Sequence, residues 1–262
     1  MKTLNLYKNK KFNIAAELFA DNNRRKFSGI DIIVFGENIN KILFKENIEK
    51  KSILEQYFET ISIFEKYYEY EEIVGFERIK KEKISKKAFR EALANAIVHR
   101  IWDINSNIKI VMSNDKIEII SPGSLPQGIS ENEYMKGYIS ILRNPIISNI
   151  FYRLRIIEKF GTGVMRIKYE YRESFTKPIF EIDENCIRIT LPTIEITPIN
   201  LVNGEIKVFE ILKKYDKLSR KEIEELCNYN KSKTIRSINN LINKSIIEEV
   251  GKGRSTKYQL KK

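Results

Sequence analysis

Histidine is almost missing from this chain: one residue, His99, in 262. A single imidazole excludes multi-histidine metal sites and confines any Ser-His-Asp triad to that position. Cysteine is nearly as scarce. Cys186 and Cys227 lie far apart, which excludes a disulfide scaffold and a cysteine-type zinc site. No apolar run approaches the roughly 18 residues that a membrane span needs. Met1 to Asn5 carries no apolar signal core. A G-x-x-x-x-G-K-[ST] phosphate loop is absent too, and a helicase motor needs two such lobes, so motor activity is argued against. The expectation is a cytoplasmic protein with no membrane partner.

The residues that are present point elsewhere. Hydrophobic content of 42% and charged content of 31% describe a globular chain rather than a disordered one. Lysine and arginine number 47 against 35 acidic residues, a net charge of +12, and a surplus of that size favours a polyanionic partner. More than half of it lies at the end, since residues 199–262 hold 15 basic side chains against 8 acidic ones.

The hydrophobic pattern divides the chain. Residues 1–75 form a strand-and-helix segment packed on the central domain, with strands at Ile30–Phe35 and Lys41–Phe44 and an amphipathic helix over 51–70. Residues 76–192 form that central domain. Its first helix, Ser85–Arg100, is apolar on most sides. Strands at 108–113 and 116–120 flank Asn114-Asp115, a hairpin signal. A capping box at Ser130-Glu131-Asn132-Glu133 starts a short helix. Further helices span 145–155 and 164–173, and a hairpin closes the domain at 178–182 and 186–191. Residues 193–198 read as a linker.

Residues 199–262 read as three helices and a hairpin, the layout of a winged helix-turn-helix. The third helix starts near Lys231 and buries Ile235, Ile238, Leu241 and Ile242. Lys233, Thr234, Arg236 and Ser237 then face outward near the helix N-terminus, the part a recognition helix presents to base edges. Lys252 and Arg254, on a glycine-rich tip, would reach phosphates or the minor groove. Lys233, Thr234, Arg236, Lys252 and Arg254 are therefore the candidate contacts to double-stranded DNA. A basic solvated face or a protein-interaction module is the competing reading.

In the central domain, Glu91, Asn95 and His99 fall at i, i+4 and i+8 on the apolar helix and make one polar stripe. Burying a carboxylate and an amide without partners is costly, so such a stripe usually lines a polar cavity or a ligand. A carboxylate one turn from an amide suits a general base beside a metal-ion ligand, with the amide oxygen on Mg²⁺. Downstream, Gly123 and the Gly161-Thr162-Gly163 turn permit close backbone approach. The second turn precedes a helix, whose N–H groups can meet phosphate oxygens. The plainer alternative is that Glu91 caps a helix or pairs with Arg90 or Arg100.

The ordered set Arg90 to Arg100, Ser121-Pro122-Gly123-Ser124-Leu125-Pro126, Arg143-Asn144-Pro145 and Glu158 to Val164 resembles the RecG-like, Schlafen/Alba-associated transcriptional regulators. The resemblance covers roughly residues 10–192. It implies an α/β (α+β) fold: a divergent GHKL-type ATPase domain, a helix layer on a mixed sheet, joined to the C-terminal winged helix-turn-helix. It implies ATP and Mg²⁺ as ligands, Glu91 as general base and Asn95 as the Mg²⁺ ligand. Nucleotide contacts would come from Asn95, His99, Gly123, Gly161, Thr162 and Gly163. Ser121 stands where active GHKL enzymes carry the adenine-reading Asp, and Leu125 where they carry a second glycine. After His99-Arg100 the family's acidic residue is replaced, with Asp103 nearby. The family's usual N-terminal Alba-like domain has no expected counterpart here.

Three functions are compatible with these features. The first is a homodimeric DNA-binding transcriptional regulator that uses the ATPase-like domain for ligand sensing or dimerisation. The second is a DNA-associated, Mg²⁺-dependent weak ATPase. The third is an interaction module left from a longer protein.

Overall fold

The computed structural model describes residues 2–137, 141–158, 161–174, 176–194, 201–244, 246–251, 253 and 256–261. The chain forms two compact units, Met1–Glu195 and Ile196–Lys262.

The first unit opens with β1 (Tyr7–Lys8), β2 (Lys11–Phe12) and the short helix α1 (Ile14–Leu18). Next come β3 (Ile30–Phe35), β4 (Ile42–Ile48), α2 (Ile53–Tyr68), β5 (Glu69–Val74), β6 (Glu77–Glu82) and α3 (Lys86–His99). The unit finishes with β7 (Ile108–Met112), β8 (Lys116–Pro122), α4 (Glu131–Lys136), α5 (Pro145–Arg153), α6 (Gly163–Glu170), β9 (Ile179–Ile182) and β10 (Cys186–Pro192).

Six strands make one mixed sheet in the order β4-β3-β7-β8-β10-β9. The pair β3·β7 is parallel, and the other neighbours are antiparallel. β3 and β4 therefore extend the sheet of the central domain rather than forming a separate layer. Period-two alternation shows which face is covered: Ile108, Ile110 and Met112 are buried on β7 while Lys109 between them is exposed. The covering helix is α3, which meets β8 and β10 and is itself flanked by α2, α5 and α6.

Local sequence explains that helix. The Ser85 hydroxyl accepts from the Ala88 N–H at 3.2 Å and caps the start. Ala88, Ala92, Ala94 and Ala96 keep the cylinder thin enough for close packing on several sides. At the other end the Asn144 amide donates to the carbonyls of Val98 (2.8 Å) and Arg100 (2.9 Å), and Arg143 donates to that of His99 (3.2 Å). The Arg-Asn-Pro sequence thus satisfies the last carbonyls of α3, which no helical N–H can reach, and Pro145 starts α5.

Several elements were not legible in the sequence, β1, β2, α1, β11 and the pair β5·β6 among them. β5 and β6 form a separate two-stranded hairpin whose turn carries Phe76, fully exposed. The pattern over 69–82 is mostly charged and gives no apolar alternation.

The second unit holds α7 (Asn203–Tyr215), β11 (Lys217–Ser219), α8 (Arg220–Cys227), α9 (Lys231–Asn243), β12 (Ile247–Val250) and β13 (Lys257–Leu260). Its strands form an antiparallel sheet in the order β11-β13-β12. Val208, Leu212, Leu218, Ile223, Cys227, Ile238, Leu241 and Ile247 build its own core. A capping box forms at Ser219 and Glu222, and Asn228 ends α8 in a left-handed conformation. Asn230 then caps α9 by accepting from the Lys233 N–H at 2.8 Å.

The face of α9 differs from expectation. Thr234, Ser237, Ile238 and Leu241 are the buried residues, and Ile235 is exposed. Thr234 is fully buried and its hydroxyl donates to the Asn230 carbonyl at 3.1 Å, so Thr234 is withdrawn from the set of outward DNA contacts. The reason is a close helix crossing: a Cβ on Gly204 of α7 would sit 3.3 Å from the Ser237 hydroxyl. Small polar residues fit that crossing and large apolar ones do not.

Candidate functional site

The stripe of α3 looks into a cavity. Glu91, Asn95 and His99 all line it, with Gly161 and Gly163 on the facing side. Ser121 and Ile119 come from β8, Ile187 and Ile189 from β10, and Tyr134 from α4. The cavity measures about 90 Å³. Most of its lining is apolar; the polar groups are Glu91, Asn95 and His99 of α3 together with Ser121, Ser124, Tyr134, Ser148 and Glu158.

The glycine turn is pressed against that stripe. A Cβ added to Gly163 would lie 2.6 Å from both the Glu91 Oε1 and the Asn95 Nδ2. With glycine at this position the first turn of α6 packs directly against the tips of Glu91 and Asn95. The Asn95 amide donates to Glu91 Oε1 at 3.4 Å. Arg166, also on the first turn of α6, stands 3.9 Å from Glu91 and 3.9 Å from Glu158. Glu91 therefore pairs with Arg166, not with Arg90 or Arg100. Its side chain is 12% exposed. Burial pushes its carboxyl above the usual range, against the pull of Arg166 and the Asn95 hydrogen bond, and the Glu158 charge pushes the same way as burial.

Two sequence-derived candidates lie elsewhere. Gly123 does not line the cavity. Its φ is +105°, and a Cβ there would lie 2.5 Å from Ile101 Cγ1, so this glycine makes room for a side chain of its own protein. Its neighbours Ser124, Leu125 and Pro126 do reach the cavity. Thr162 is the residue before α6, caps nothing with its side chain and is not part of the lining. Lys233 and Arg236 are exposed on α9, with the Lys233 ammonium 3.7 Å from the centre of the Tyr229 ring. Lys252 and Arg254 lie outside the described residues.

One residue of the site, Ser148, carries no signal in the sequence. Ser148 of α5 lines the cavity, is fully buried, and its hydroxyl has no partner among the described residues. Ser121 donates to the Ala96 carbonyl at 2.8 Å, which leaves its lone pairs free to accept. Arg100 is buried beside the site. It donates to the carbonyls of Phe27 (2.9 Å) and Ser106 (2.7 Å) and lies 4.3 Å over the Trp102 ring. Asp103 is not its counter-ion but stands 3.5 Å from Arg25.

His99 gives the cavity a pH signature. Burial, with the charge of Arg143, pushes its imidazole down to about 4. The unfolded chain holds a proton on this ring below about pH 6.5, and the folded chain does not until about pH 4. Stability is therefore lost as pH falls through that window, by up to about 3 kcal/mol. Urea midpoints taken from pH 7 to pH 4 are expected to fall, and to fall less for His99→Gln. Equal slopes for both chains would show that His99 is not the group responsible.

Among the described residues, no helix is long and apolar enough to cross a membrane, and no group of three His, Cys, Asp or Glu could hold a metal ion. A Mg²⁺ site needs fewer protein ligands, because phosphate and water complete its shell.

Comparison with known proteins bears on this geometry. Residues 105–191 match the family described as putative ATP-dependent DNA helicase recG C-terminal. The matched stretch begins after α3 and runs from β7 through the glycine turn and α6 into β10. It supports an ATPase-like domain in the first unit. In fold the chain is similar to the DIP2311 protein from Corynebacterium diphtheriae, with a TM-score of 0.64 at 18% identity, over 98% of this chain and 56% of that one. The chain thus spans about half the length of that protein. No curated protein matches it.

Proposed function

We propose that the protein is a DNA-binding transcriptional regulator. Its C-terminal unit would act as a winged helix-turn-helix, and its ATPase-like domain would sense a nucleotide and hold two copies together. The observation that carries this reading is the layout of the second unit: three helices and a three-stranded sheet, with Lys233 and Arg236 exposed on the N-terminal half of α9. That half is what a recognition helix places in the major groove. Lys252 and Arg254 join the proposed surface by their position between β12 and β13. A homodimer would set two such helices on two half-sites.

The proposed ligand is a nucleotide with Mg²⁺. The residues fit the group in kind: one carboxylate and one amide side by side, a glycine turn against them, and an orphaned serine hydroxyl in the same cavity. Asn95 would hold the metal through its amide oxygen, Glu91 would orient and deprotonate water, and Gly161 and Gly163 would face phosphate. Bound Mg²⁺ would supply charge neutralisation for the phosphates. Size decides what must happen first. The cavity of about 90 Å³ is well below the roughly 300–1,000 Å³ of typical ligand sites. The wall to move is α4, which brings Tyr134 and is fastened to α6 by the Lys168 ammonium donating to the Met135 carbonyl at 2.9 Å. The closed form fits a sensor that opens for its ligand.

The second reading, a DNA-associated weak ATPase, is favoured by the Glu91–Asn95 juxtaposition. One titration separates the two. ATP is added by calorimetry with and without Mg²⁺, and turnover is then measured for the natural chain and for Glu91→Ala. Saturable binding without turnover is the expected result. Turnover that disappears in Glu91→Ala would install the ATPase reading instead. Absence of binding at millimolar ATP would remove the nucleotide from both.

A further inference from the structure

Next to the inner cavity, and sharing Glu91 with it, lies a second and more open cleft of about 470 Å³. Lys87 and Arg90 reach it from α3, Arg155 from the end of α5, and Arg166 from α6. Arg166 is engaged by Glu91 and Glu158. Glu170, the other acid on the wall, accepts from the Ser85 hydroxyl at 3.0 Å. Lys87, Arg90 and Arg155 are exposed and make no ion pair with a carboxylate among the described residues. Three uncompensated cations therefore converge on a recess of small-molecule size.

Arg155 adds an independent reason to look for a ligand. The Ile156 N–H bonds the Phe151 carbonyl and the Arg155 N–H that of Tyr152, both at 2.9 Å, which is a Schellman ending of α5. Arg155 takes its left-handed position, with φ of +58°. Glycine is the usual occupant, because any side chain is disfavoured in that conformation. An arginine held there at a conformational cost is one of the residues that line the cleft.

We propose that this cleft is an oligophosphate-binding site, separate from the inner cavity. Guanidinium forks match phosphate oxygens in pairs, and several cations from three helices need a ligand with several charges in a row. The recess is too small for a nucleic-acid duplex. The inference goes beyond the sensing reading: the cleft takes the phosphate chain whether it arrives free or on a nucleotide.

The test is calorimetric titration of the whole chain with inorganic triphosphate and, separately, with ATP, both at low salt. Inorganic triphosphate is expected to bind. Lys87→Glu/Arg155→Glu is expected to weaken it by about tenfold or more, since two charge-assisted contacts become repulsions. If ATP is weakened in parallel, the phosphate source is a nucleotide; if ATP is unchanged, the source is free oligophosphate. Either outcome supports the site. A second variant guards against misfolding. Arg155→Gly is expected to raise the melting temperature, because it relieves the left-handed residue, and still to weaken triphosphate. Absence of triphosphate binding to the natural chain, or equal affinity in both variants, overturns the site and leaves the nucleotide reading of the inner cavity standing.

Discussion

Replacing Lys233 and Arg236 together by glutamate is expected to abolish binding to duplex DNA in a mobility shift, a loss of about a hundredfold or more. Phosphate contacts supply most of the affinity of such modules, and each one lost removes about 0.9 from the slope of log K against log salt. The reversal replaces two attractive contacts by two repulsive ones. Both residues are exposed, so the fold of the unit should survive the change. Lys233 is partly held in place by the Tyr229 ring beneath it, and an ammonium so stacked loses less freedom on binding. The contrasting variant is Thr234→Val. Its side chain is packed inside the unit, so DNA affinity should stay within about twofold, with only the hydrogen bond to Asn230 lost, worth about 1 kcal/mol. Equal damage from Thr234→Val would mean that the wrong side of α9 has been assigned to DNA. Unchanged affinity in the double reversal would remove the DNA-binding reading altogether.

Gly123→Ala is expected to destabilise the ATPase-like domain strongly, by about 3–4 kcal/mol. Two costs combine. The backbone sits at φ +105°, and the new methyl would enter the Ile101 side chain, with Cγ1 at 2.5 Å, Cδ1 at 2.8 Å and Cβ at 3.0 Å. The Gly123 N–H donates to the Asn185 carbonyl at 2.8 Å, so the backbone is not free to slide away. Gly128 separates the two costs. Its φ is +87° with nothing within 4 Å of a built Cβ, so Gly128→Ala pays the conformational part alone, about 1 kcal/mol. Urea unfolding of both variants checks the difference. Equal losses would mean that Ile101 gives way and that the contact carries no weight.

The amino-acid pattern revealed α3 almost completely. Its serine cap, its alanines and its polar residues at every fourth position are all local signals, and the stripe does face a cavity. Gly123 lies off the cavity lining for a definable reason. A glycine announces close approach but not what approaches, and here it is Ile101 rather than a ligand. The burial of α9 was shifted because Ile235 outweighed Thr234 and Ser237 in a hydrophobic reading. Space at the Gly204 crossing, not polarity, decides which residues turn inward. Arg166 and Ser148 could not be found from pattern at all. One matters because it meets Glu91 across two packed helices, the other because a small hydroxyl was left without a partner. Both facts exist only once the elements are assembled.

Glu91 forms part of two hollows at once, the inner cavity and the more open outer cleft. A single carboxylate shared in this way would make two occupants interdependent. A ligand that drew Arg166 off it from outside would change its charge balance for a guest inside, and thermodynamic reciprocity requires the converse effect to be equal in size. Cooperativity between two such guests, positive or negative, would then be set across one side chain and not across the length of the molecule.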